Sequence, residues 1–114
     1  MALLRIGALP DEAIAAAAEF HAAVLPRVLA ELESRQALTL VFAPADHTHG
    51  AWRLAAVQGL ARQHAPGRVN ALASDDETAI AAALKYLAAA EGVTGQYLPL
   101  DGNGAEALLS STDD

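Results

Sequence analysis

Apolar and polar positions alternate in blocks along this chain, and the period changes from block to block. Residues 2–8 are a short apolar run ended by Pro10, which predicts a first strand. From about 11 to 34, apolar positions recur at helical spacing, with Ile14, Ala18, His21, Leu25, Val28 and Leu32 as the expected inward stripe. Pro10 suits a first-turn position, and Asp11 and Glu12 suit the positive end of the helix dipole. Pro26 lies inside this pattern and predicts a kink or a split. Residues 37–43 contain Leu38-Thr39-Leu40-Val41-Phe42, an almost unbroken apolar run of the kind a strand covered on both faces carries. A helix is expected over 51–64, stopped by Pro66-Gly67. Ala51, Ala55 and Gly59 recur four apart on it, and such small side chains let a second helix approach closely.

Residues 68–73 predict a third strand. Ser74-Asp75-Asp76-Glu77 then reads as a capping box, with the Ser74 hydroxyl and Glu77 carboxylate satisfying free backbone N–H groups. The helix that follows extends to about Glu91, with Ile80, Ala83, Leu84 and Leu87 on one stripe and Gly92 as its stop. A last strand is expected at 95–100, and the tail 105–114 is expected to start helical and fray. Four strands alternating with three helices predict an α/β fold with a parallel sheet and right-handed crossovers.

Composition narrows the function classes. The 114 residues fit one domain. At 54% hydrophobic and 18% charged, the chain can build a core, although alanine supplies much of it and aromatics only 4%. A core of small side chains favours additional burial through association. The net charge of −7 and the lack of a basic stripe argue against nucleic acid and anionic membranes as partners. Cysteine is absent, so disulfide and thiolate chemistry are excluded. No leader pattern is visible and no unbroken apolar run approaches about 20 residues, so a soluble cytoplasmic protein is the default expectation.

Several motifs carry a family resemblance. Ala55-Ala56-Val57-Gln58-Gly59-Leu60-Ala61-Arg62, then Gly67-Arg68-Val69-Asn70-Ala71-Leu72-Ala73, then Val93-Thr94-Gly95-Gln96-Tyr97-Leu98-Pro99-Leu100-Asp101-Gly102, resemble the C-terminal half of a short-chain dehydrogenase/reductase (SDR). Ala22-Ala23-Val24-Leu25-Pro26 resembles that family's central helix. The resemblance implies a half-Rossmann α/β fold in a two-layer or three-layer sandwich, with 1–114 as a single truncated domain of about half the length a complete dinucleotide-binding fold needs.

The same resemblance argues against the family's activity. The family carries a tyrosine, three residues, then a lysine before the small-residue helix; here those positions are Gly50 and Leu54. Its catalytic serine would fall at Pro44 or Ala45, and Ser74-Asp75 replaces a Pro-Gly pair near the cofactor. Residues 1–10 contain no Gly-x-x-x-Gly-x-Gly run to cradle a pyrophosphate. No cofactor is therefore expected, nor measurable dinucleotide affinity.

Two functional readings follow. In the first, the chain is a non-catalytic SDR-like protein that works as a homodimer or homotetramer, or beside a full-length SDR enzyme as a subunit or regulator. Its contact residues are then Ala51, Ala55, Gly59, His21, Leu25 and Tyr86. In the second, Asp46-His47-Thr48-His49 forms a small catalytic, ligand or metal site, since Asp46, His47 and His49 could supply ligands or a base at a strand's carboxyl end. The competing explanation of that cluster is a solvated loop in which Asp46 or Thr48 caps the next helix. Asp101-Gly102-Asn103-Gly104 reads as a tight turn, His64 as a partner of a helix C-terminus, and Trp52 and Tyr97 as packing residues.

Overall fold

A computed structural model describes residues 2–100 of the chain. Four strands, β1 (Leu3–Arg5), β2 (Ala37–Phe42), β3 (Arg68–Ala73) and β4 (Tyr97–Pro99), form one parallel sheet in the order β1-β2-β3-β4. The edge strands are shorter than the patterns at 2–8 and 95–100 suggest. Between β1 and β2, α1 (Ala13–Glu19) runs through a π turn at Phe20–Val24 into α2 (Leu25–Leu32). A 3-10 turn at His47–His49 leads into α3 (Gly50–His64), and α4 (Glu77–Ala89) connects β3 to β4. This is the expected α/β half-Rossmann arrangement.

Alternation along the strands sorts the core into two layers. Leu38, Leu40 and Phe42 of β2 and Val69, Ala71 and Ala73 of β3 pack under α1, α2 and α3, with Phe20, Val24, Val28, Val57 and Leu60. Val41 and Leu72 point the other way, to Ile80, Ala83 and Leu87 of α4. The sheet is thus covered on both faces, which is why β2 has so little polar character.

The strands step across the sheet in one direction, yet α1–α3 lie on one face and α4 on the other. The β3–α4–β4 crossover therefore has the opposite hand to the first two, and a uniformly right-handed set of connections is not realised. Side chains of β3 hold this return. Arg68 Nη1 donates to the Leu87 and Ala90 carbonyls at 2.9 Å, closing the C-terminus of α4. The Asn70 amide spans the next loop, donating to the Val93 carbonyl and accepting from the Gln96 N–H, each at 3.0 Å. Gly95, at φ +74°, turns the chain back to the sheet edge.

The first helix differs from its sequence pattern. Its buried stripe is Ala16, Phe20, Val24, Val28 and Leu32, whereas Ile14 is 80% exposed and Ala18 and His21 face outward. A strict four-residue spacing drifts around a helix of 3.6 residues per turn. The wider π turn takes up that drift and also makes room before Pro26, whose ring would otherwise press on the Ala22 carbonyl. The continuous helix Ala13–Leu32 is, by length and composition, long and apolar enough to cross a membrane, which corrects the expectation from unbroken runs. Its alanines raise the average without forming a run, and Phe20, Val24, Val28 and Leu32 pack on the sheet while Ile14 and Leu29 are exposed.

The start of α4 is also built differently. Asp76, not Ser74, is the N-cap, accepting from the Thr78 and Ala79 N–H groups at 2.9 and 3.4 Å. Ser74 Oγ accepts from the Asp76 N–H, and Glu77 forms a two-pronged ion pair with Arg5 of β1 at 2.6 and 3.0 Å. The 101–104 turn and the 105–114 tail lie outside the described residues.

Candidate functional site

The carboxyl ends of β1 and β2 and the first turn of α3 enclose a cleft of about 480 Å³. Its walls include Leu9, Pro10 and Asp11 after β1, Pro44 and Asp46 after β2, and His49 and Arg53 from the turn leading into α3 and α3 itself. Open α/β sheets place ligands at this end.

His49 braces the cleft. Trp52 Nε1, which can only donate, bonds His49 Nδ1 at 3.1 Å, and His49 Nε2 faces the Asp11 carbonyl at 2.8 Å, which can only accept. This pattern fixes the neutral tautomer protonated at Nε2 and ties the segment entering α1 to the start of α3. With both ring nitrogens used, His49 has no lone pair left for a metal.

Asp46 caps the 3-10 turn, as the loop-capping reading of its cluster expects. Its Oδ1 accepts from the Thr48 N–H at 3.0 Å and from the Thr48 hydroxyl. These bonds, the hydroxyl's first, hold the Asp46 carboxyl below its ordinary value. His47 is exposed. The fold thus separates the cluster, with Asp46 as a cap, His49 as a brace and His47 exposed. Among the described residues, no group of three or more His, Cys, Asp or Glu side chains is placed to hold a metal ion.

Arg53 is the residue that sequence reasoning missed. It is only 3% exposed, and its guanidinium lies 4.4 Å from the centroid of the Phe42 ring. Nη1 donates to the Ala43 carbonyl and the Tyr97 hydroxyl, each at 3.0 Å, while the buried Nε has no partner among the described residues. The available signal was a cation in register with Val57 and Leu60 on the inward stripe of α3.

A second cleft of about 650 Å³ lies beyond β2, β3 and β4, lined by Ser74, Asp75, Asp76 and Pro99. An anionic dinucleotide does not fit these residues. The α4 N-terminus, the feature that would attract a phosphate, is occupied by the Asp76 carboxylate, and Asp75 adds a second negative charge.

Gly50 opens α3, and Leu54 lies on it 37% exposed. Neither position offers a titratable group. A family model described as "Short chain dehydrogenase-like protein" matches residues 4–100. The chain belongs to this short-chain dehydrogenase-like family. No curated protein and no solved structure matches it.

The expected contact residues of this short-chain dehydrogenase-like protein fall into separate places. His21, Leu25, Ala55 and Gly59 line a groove of about 260 Å³ between the first helix and α3, together with Leu29. Ala51 is exposed one turn before Ala55 on α3. Tyr86 is half-buried against the α4 layer, on the opposite face of the sheet. His64 lies in the last turn of α3, and its ring bonds the Arg35 carbonyl at 2.8 Å, beyond the end of α2.

Proposed function

We propose that this short-chain dehydrogenase-like protein works by association, pairing the α2–α3 face with the same face of a second copy, and that it carries out no SDR hydride transfer of its own. The observation that carries the reading is the groove between the first helix and α3. Leu25 and Leu29 flank it, with Leu29 38% exposed, and Ala55 and Gly59 form its low floor. A floor of small side chains admits the ridge of a neighbouring helix, and a two-fold axis along the groove would place each Leu29 ridge over the partner's Ala55 and Gly59. The catalytic half of the proposal rests on chemistry: Gly50 and Leu54 stand where the resemblance puts the tyrosine and lysine, and neither can move a proton.

Light scattering on the full chain tests this. The expected mass is twice 11.7 kDa, or four times if Ala51 or Tyr86 supports a further contact. Leu29→Glu places a charge on the ridge and is expected to give a monomer with its cooperative melt retained. A wild-type monomer would overturn the reading. Mass gained only with a full-length SDR enzyme added would transfer the face to that partner. The Asp46-His47-Thr48-His49 alternative finds no support in geometry that engages both nitrogens of His49.

A further inference from the structure

Arg53 is a permanent cation, because a guanidinium does not lose its proton in proteins. It is almost wholly buried, and a buried charge is costly unless it is paired. The ion pairs among the described residues are Arg5–Glu77 and Arg35–Glu31, and neither includes it. Its two protein acceptors, the Ala43 carbonyl and the Tyr97 hydroxyl, are neutral oxygens, and both are on Nη1. The faces of Phe42, Trp52 and Tyr97, 4.4 to 5.9 Å from the guanidinium carbon, offset part of the charge. They give the Nε–H no acceptor. The same side chain lines the cleft beyond β1 and β2.

We propose that this cleft binds a small monocarboxylic acid, its carboxylate pairing with Arg53 and its apolar body lying against Leu9, Pro10 and Pro44. A carboxylate is the planar acceptor that a guanidinium edge receives with two parallel bonds. The charge around the cleft selects the number of negative charges. Asp11 and Asp46 share its walls with Arg53, so each negative charge a ligand carries beyond the one paired with the guanidinium adds repulsion, and a phosphate or dicarboxylate is penalised more than a monocarboxylate. The apolar wall residues favour a hydrocarbon body over a sugar or a nucleotide. This site shares no lining residue with the groove between the first helix and α3, so its failure would leave the association reading untouched.

Trp52 is the single tryptophan, and its ring lies 5.7 Å from the Arg53 guanidinium carbon, so it reports on the site. The experiment is a titration of the full chain with sodium hexanoate at constant ionic strength, read by Trp52 fluorescence and by calorimetry. Inorganic phosphate and chloride are the comparison anions. A saturable response to hexanoate, with at least tenfold weaker binding of phosphate, is expected. Arg53→Met should abolish it, and Arg53→Lys should weaken it at least tenfold because an ammonium cannot form the two-pronged pair. Should those variants fail to fold, Ala45→Phe fills the cleft from an exposed position and should weaken binding while the melt is retained. No saturable response, an equal response to phosphate, or unchanged binding in a folded Arg53→Met or Ala45→Phe protein would each overturn the proposal.

Discussion

Arg53 Nη1 donates to the Tyr97 hydroxyl at 3.0 Å across 44 residues of sequence, joining the start of α3 to the last strand of the sheet. Tyr97 in turn sets its ring edge-on to Phe42, with centroids 6.3 Å apart and planes at 86°, and the guanidinium lies over that same Phe42. Phe20 and Trp52 complete the cluster from the π turn and from α3. The bond therefore ties the edge strand β4 to the aromatic centre of the larger core layer.

Tyr97→Phe keeps the ring and removes the acceptor. Arg53 is left with the Ala43 carbonyl as its protein partner on Nη1. A buried hydrogen bond to a charged group contributes about 1.5–3 kcal/mol. The expected loss is about 2 kcal/mol in urea unfolding, with the m-value unchanged because the core is not opened.

The Trp52–His49–Asp11 chain should behave as one unit. His49→Ala is expected to cost about 2 kcal/mol and Trp52→Phe about 1 kcal/mol, each through lost hydrogen bonding and packing. The double variant should cost about 1 kcal/mol less than the sum, since either substitution already breaks the bond between them. Strict additivity in denaturant unfolding would show that the two side chains act separately.

The strands were readable because their pattern has one cause. Leu38 to Phe42 is apolar on both faces since α1–α3 cover one face and α4 the other. The stripe of the first helix was misread because alanines on every side give no contrast, and the π turn that aligns Ala16, Phe20, Val24, Val28 and Leu32 has Pro26 as its sole local mark. The sequence pattern points to Ser74 as the N-cap, and the backbone geometry puts the cap two residues later, at Asp76, with Ser74 accepting from the Asp76 N–H. The Asp46 to His49 cluster was visible as polar density, and its division of labour was not, because His49 is claimed by Asp11, 38 residues earlier. Arg53 was invisible as a site for the same reason. Phe42, Ala43 and Tyr97, which make it one, lie on other elements.

Three glycines should respond differently to alanine. A Cβ on Gly67 would stand 2.5 Å from His64 Cδ2 and 2.7 Å from the Gln36 carbonyl oxygen, so Gly67→Ala is expected to cost about 2 kcal/mol through overpacking and loss of the His64–Arg35 bond. Gly95→Ala meets no close atom but holds a residue at φ +74°, which costs about 1 kcal/mol. Gly59→Ala has open space and lies inside α3, so it should stabilise the monomer by about 0.5–1 kcal/mol. If the groove pairs with a second copy, the same substitution should weaken the dimer, and unfolding at high and low protein concentration separates the two effects.

Acid should reveal the Asp46 cap. Its carboxyl is held below the ordinary value of 3.8, chiefly by the Thr48 hydroxyl and then by the Thr48 N–H. A folded-state pKa below the unfolded one means that the unfolded chain binds the proton first as pH falls. The contribution of the ionised group is therefore fully present above the unfolded value and is lost as pH drops through the folded one. Asp46→Asn keeps an acceptor for Thr48 and removes the titration. The stability difference between wild type and Asp46→Asn should stay constant from neutral pH down to about pH 5 and shrink below about pH 4. Thr48→Ala deletes the larger of the two bonds, so the Asp46 carboxyl should titrate closer to its unperturbed value when followed by NMR. A difference between wild type and Asp46→Asn that grows on acidification would mean that the carboxyl is raised in the folded chain, and the capping role assigned to it would be wrong.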